Sequence, residues 1–107
     1  MVSALFDTNI LIDYLNGMPQ AKLELQRYSD RAISVVTWME VMVGTSPDTL
    51  PGTKALLSGF VLLPIDERVA ERAVVIRQTK RVKLPDAIVW ASAQVSSRLL
   101  ITRNFKD

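Results

Sequence analysis

The chain has 107 residues, 49% of them hydrophobic and 22% charged, with a net charge of +2. This is the balance of a single soluble globular domain, residues 1–107, and it excludes a disordered chain. Cysteine and histidine are both absent, which excludes disulfides, thiolate or imidazole zinc sites, and every Ser-His-Asp or Cys-His catalytic arrangement. Whatever chemistry remains rests on carboxylates, amides, hydroxyls and cations. No apolar run approaches the ~20 residues that span a bilayer, and no signal peptide is visible. A cytoplasmic protein with no membrane partner is expected.

In chain order, residues 2–6 form a short apolar run ended by Asp7, the pattern of a buried strand. Ile10, Leu11, Tyr14 and Leu15 then share a helical face until Gly17 and Pro19 break it. A second helix is predicted over 21–30 and a second, β-branched strand over 32–36. Thr37 opens a third helix that runs to Val43 and stops at Gly44; Thr37 and Glu40 in "TWME" match a capping box. Residues 45–53, with two prolines and a glycine, read as a loop, and 54–58 as one helical turn. A third strand follows over 60–64. Asp66 caps a helix from Glu67 to about Thr79. Residues 80–83 are a basic connection, Pro85 suits a first helical position, helix continues over 86–96, and a fourth strand covers 99–102. Strands alternate with helices, so the predicted fold class is α/β: a central parallel sheet of about four strands with helices on both faces.

Ligands of an open parallel sheet bind beyond the carboxyl ends of its strands. Asp7 follows the first strand, Glu40 lies in the helix after the second, Asp86 begins the helix before the fourth, and Asn104 follows the fourth. Like charges brought together there repel unless a cation joins them. Oxygen donors of this kind suit Mg²⁺ or Mn²⁺, which can activate a water and clamp a phosphodiester. Each residue also has a structural reading: Asp7 and Asp86 as helix-start acids, Glu40 in its capping box, Asn104 in a turn. Asp66 is read as a cap, and Asp13 as solvated surface. Lys80, Arg81, Lys83, Arg98, Arg103 and Lys106 crowd the C-terminal quarter and could hold RNA phosphates or form a solvated face. The all-round apolar helix holding Trp38, Met39, Val41, Met42 and Val43 suggests burial, partly against a second subunit.

Together "ALFDTNILIDYL", "ISVVTWMEVMVG", "LPDAIVWASA" and "LLITRNFKD" resemble the PIN domain family, and within it the VapC-type toxins of bacterial toxin–antitoxin pairs. The resemblance implies a three-layer α/β/α PIN-like fold and a Mg²⁺- or Mn²⁺-dependent endoribonuclease controlled by a VapB-like antitoxin. It implies catalytic positions at Asp7, Glu40, Asp86 and Asn104, the first three as metal ligands. Asn9 and Thr102 match supporting polar positions. RNA contacts fall to Lys83 and Arg103, and a homodimer is implied. The chain ends at Asp107, where the family usually continues through a further strand. A catalytically weak or inactive PIN fold that binds RNA or protein is the alternative. A haloacid-dehalogenase-like phosphatase also places Asp after its first strand, but its second Asp is here Asn9.

Overall fold

The computed structural model describes residues 2–103. These form four strands, β1 (Ser3–Phe6), β2 (Asp30–Ser34), β3 (Val61–Leu63) and β4 (Leu99–Ile101), and six helices. The helices are α1 (Thr8–Leu15), α2 (Pro19–Arg27), α3 (Val35–Val43), α4 (Leu50–Leu57), α5 (Glu67–Thr79) and α6 (Leu84–Ser96). The strands lie in the order β3-β2-β1-β4, and every neighbouring pair is parallel. This is the expected three-layer α/β/α architecture.

The two-residue period of a strand divides the core. Ala4 and Phe6 of β1 face a cluster with Ile10 and Leu11 of α1, Ala21 and Leu25 of α2, and Leu57 of α4. Phe6 meets Tyr28 and Phe60 edge-on, with ring centroids 6.0 and 5.8 Å away, a favoured aromatic geometry. Leu5 points the other way, into a cluster with Val36 of α3 and with Val89 and Ala93 of α6. Behind α6, its Ala87 and Ala91 pack against Val69, Ala73 and Ile76 of α5. Trp38 and Trp90 are both partly buried against these clusters. α3 sends Val41 into the first cluster and Val36 into the second, so it crosses the end of the sheet.

Three boundaries differ from the sequence expectation. β2 ends at Ser34, not two residues later, because the Ser34 hydroxyl accepts the Val36 N–H at 3.1 Å and starts α3 there. The capping box at Thr37 and Glu40 is therefore not formed. Thr37 is fully buried inside the helix, and Glu40 lies in its second turn. The β-branched Val35 and Val36 favour a strand locally, but Val36 gains more by closing the Leu5–Val89 cluster from a helix. Residues 50–53, read as loop, begin α4; Pro51 sits in its first turn, where a missing N–H costs nothing. α2 is shifted earlier, with Pro19 in its first turn and its end at Arg27.

The amino-terminal rim of the sheet is tied by charge. Arg98 donates to the Asp30 carboxylate at 3.0 Å and to the Ala4 carbonyl at 3.2 Å, while the Ser3 hydroxyl donates to Asp30 at 2.6 Å. One nearly buried guanidinium thus fastens the starts of β1, β2 and β4. Arg98, a candidate phosphate ligand from the sequence, is instead a clamp at the rim opposite Asp7. No helix of the described residues is long and apolar enough to cross a membrane.

Candidate active site

At the carboxyl-terminal rim, each acid sits one structural repeat from the same buried cluster. Asp7 is two residues beyond Leu5 on β1, Glu40 is four beyond Val36 on α3, and Asp86 is three before Val89 on α6. Strand period two and helix spacings of three and four keep each acid on the face its apolar neighbour buries. α6 ends just before β4 and returns antiparallel to it, so its first turn, with Asp86, opens at this rim.

Asp7 performs two tasks. It is the N-cap of α1, its Oδ1 accepting the Thr8 N–H at 2.7 Å. Its Oδ2 accepts the Thr102 hydroxyl at 3.0 Å, and its own N–H donates to the Ile101 carbonyl at 2.9 Å. The carboxylate is thereby held by β4 on one side and α1 on the other, with lone pairs left over.

Thr8 was missed by the sequence reading. Its Oγ1 lies 2.7 Å from Glu40 Oε1 and 2.9 Å from Thr37 Oγ1. A hydroxyl carries one proton, and the carboxylate is the stronger acceptor, so Thr8 donates to Glu40. Thr8 therefore holds two of the three acids, Asp7 through its N–H and Glu40 through its hydroxyl. The available signal was a hydroxyl directly after the strand-ending acid.

Asn9 and Thr102, named from the sequence as supporting residues, are linked to each other and, through Thr102, to Asp7. Asn9 Nδ2 reaches Thr102 Oγ1 at 3.5 Å, and Asn9 Oδ1 accepts the Arg103 N–H at 3.4 Å; both bonds are long. They connect Asn9 through Thr102 to Asp7. Arg103 does not reach outward alone: it makes a two-pronged ion pair with Asp13 at 2.8 and 3.1 Å, a planar match that guanidinium favours. Asp13 is therefore paired, not simply solvated. Lys83 is exposed and precedes α6 as its N-cap. Asn104 lies outside the described residues. Asp66 caps α5 through a 2.9 Å bond from the Val69 N–H, as its structural reading expected.

The donor set is all oxygen and carries three negative charges, the chemistry of a hard divalent cation. Asp86 is exposed and makes no side-chain hydrogen bond or ion pair among the described residues. Among those residues, no three Asp, Glu, His or Cys side chains close directly into a metal cage. The acids share a rim without forming one tight ligand sphere. Mg²⁺ commonly retains several waters and takes only one or two carboxylates directly, so a spread set of this kind still fits it.

A PIN domain family model matches residues 4–106, a span that includes Asp7, Glu40, Asp86 and Asn104. The chain belongs to the PIN domain family. Among solved structures, a toxin–antitoxin complex from Klebsiella pneumoniae is 50% identical with a TM-score of 0.92, covering 98% of this chain and 89% of that one. A VapBC-5 complex from Mycobacterium tuberculosis, of the VapBC toxin–antitoxin family, is 25% identical with a TM-score of 0.68, covering 97% of this chain and 86% of the other. DNA-bound VapBC from Salmonella typhimurium, at 20% identity and a TM-score of 0.83, shares the fold, covering 99% of this chain and 89% of that one. No curated protein sequence matches.

Proposed function

We propose that this protein is a divalent-cation-dependent endoribonuclease, the toxin of a type II toxin–antitoxin pair acting in the cytoplasm. The observation that carries this reading is the placing of three chain-distant acids, Asp7, Glu40 and Asp86, one repeat away from a single buried cluster at the sheet's carboxyl rim. Membership of the PIN domain family and 50% identity to a protein of a toxin–antitoxin complex support it.

Asp7, Glu40 and Asp86 are the residues to hold Mg²⁺ or Mn²⁺, and Asn104 is proposed to join them. Bound there, the ion supplies charge to the scissile phosphodiester and lowers the pKa of a water. The chain's own residues prepare that site. Thr102 and the Thr8 N–H fix the direction of the Asp7 carboxylate, while the Thr8 hydroxyl holds Glu40 beside it. Asn9 restrains Thr102, supporting ligands from outside as such polar neighbours do. Lys83 is exposed at the start of the helix that carries Asp86, placed to meet a phosphate.

A VapB-like antitoxin is the proposed regulator, with one of its cations entering the acidic rim. A homodimer is proposed as well. Met39 and Val43 of α3 are 47% and 84% exposed, apolar area that a second subunit would cover.

A second reading, a PIN fold that binds RNA or protein without cleaving, is favoured by the open spacing of the three carboxylates. One experiment separates the two. RNA is incubated with purified protein in Mg²⁺, Mn²⁺ or EDTA, alongside Asp7→Asn. Cleavage that needs the metal and vanishes in the variant supports the nuclease; binding without cleavage in any metal supports the second reading.

A further inference from the structure

The structure spends two of the cations that the sequence offered for phosphate binding. Arg98 is committed to Asp30, and Arg103 to Asp13. Three others are gathered elsewhere. Arg77 from the last turn of α5, and Arg81 and Lys83 from the connection to α6, line one open groove of about 460 Å³ with Val82. All three are exposed, and none forms an ion pair among the described residues.

Stability does not explain the group. A cation at the carboxyl end of a helix interacts favourably with its dipole, which accounts for Arg77. Lys83 stands at the opposite, positive end of α6, and Arg81 two residues before it, where a cation is disfavoured. Three like charges around one groove also repel each other. A polyanion relieves both costs. Position points to which polyanion: Lys83 and Asp86 bracket the first turn of α6, about one helical pitch, ~5 Å, apart along its axis, so the groove borders the Asp86 end of the acidic rim.

Resting on the nuclease reading above, we propose that Arg77, Arg81 and Lys83 form a backbone-phosphate groove that grips single-stranded RNA on the Asp86 side of the active site. Among the described residues only Val82 accompanies the cations, with no aromatic platform, so the groove positions the strand without reading its bases.

The test measures binding of a labelled, unstructured, mixed-sequence RNA oligonucleotide across a range of salt concentrations. Asp7→Asn serves as the parent, so that no cleavage intervenes. Into it are placed Arg77→Gln, Arg81→Gln and Lys83→Gln together. The control carries Lys22→Gln, Lys54→Gln and Arg68→Gln, which remove equal charge from exposed positions outside the groove. At ~0.7 per phosphate contact on a single strand, the groove variant flattens the slope of log K against log salt by about 2, with ~10-fold or greater loss of affinity at low salt. The control keeps the parent's slope. Equal losses in both variants would reduce the effect to net charge and overturn the groove. So would an unchanged slope in the groove variant, or loss of antitoxin binding with RNA binding intact, which would reassign the groove to a protein partner. If those results accompany metal-dependent cleavage by the wild type, the nuclease reading survives them. A parent with no RNA affinity, and a wild type with no cleavage, would remove both.

Discussion

Asp7 carries a structural task and a proposed chemical one. Its Oδ1 caps α1 while its Oδ2 is fixed by Thr102, and two substitutions separate these contributions. Asn is as good an N-cap as Asp, whereas Ala removes the cap for ~1 kcal/mol. Asp7→Asn is therefore expected to unfold close to wild type in urea but to lose metal-dependent cleavage, and Asp7→Ala to lose both. An Asp7→Asn protein that cleaves RNA normally would show that the charge serves no chemistry. The three acids were legible in the sequence as candidates, Asp7 because it ends an apolar strand, and Glu40 and Asp86 because they fall near the starts of later helices. Thr8 was not, because a hydroxyl acquires its role only when α3 brings Glu40 to 2.7 Å. The ion pair of Arg103 with Asp13 was hidden for the same reason: the two residues are distant in sequence and meet only across the folded rim.

Among the elements, the alternation of strand and helix could be read directly from apolar periodicity, and α5 and α6 were located closely because Asp66 and Pro85 mark their starts. The start of α3 could not be. Residues 32–36 read as one β-branched run, apolar except at Ser34, and it is the buried Ser34 hydroxyl that turns its second half into helix. The clamp across β1, β2 and β4 was equally hidden, since Ser3, Asp30 and Arg98 are far apart in sequence. It leaves a pH signature. The Ser3 hydroxyl and then the Arg98 guanidinium hold the Asp30 carboxyl below its ordinary value of 3.8. A carboxylate whose folded-state pKa is depressed stabilises the protein above its unfolded value and loses that contribution as pH falls through the folded one. Asp30→Asn should therefore melt below wild type at neutral pH, and the two melting temperatures should converge as pH drops beneath 3.8. A constant offset across the whole range would show that the Asp30 charge is not what couples the clamp to pH.

Across the whole molecule, charge is sorted by place. A nearly buried cation ties the amino-terminal rim, acids occupy the carboxyl-terminal rim, and uncommitted cations line a groove beside the helix that carries Asp86. A net charge of only +2 conceals this arrangement, because composition averages what the fold separates. The parallel sheet produces it: in parallel strands all carboxyl ends lie together, so residues from distant parts of the chain meet at one edge. Whether Asp7, Glu40 and Asp86 act as one centre is tested most directly by titrating Mn²⁺ into the purified protein by calorimetry. Wild type is compared with Asp7→Asn, Glu40→Gln and Asp86→Asn, each first shown to be folded by circular dichroism. If the three carboxylates share the ion, every one of the three substitutions weakens Mn²⁺ binding, by ~10-fold or more. Wild-type affinity retained in any of them would contradict a shared centre.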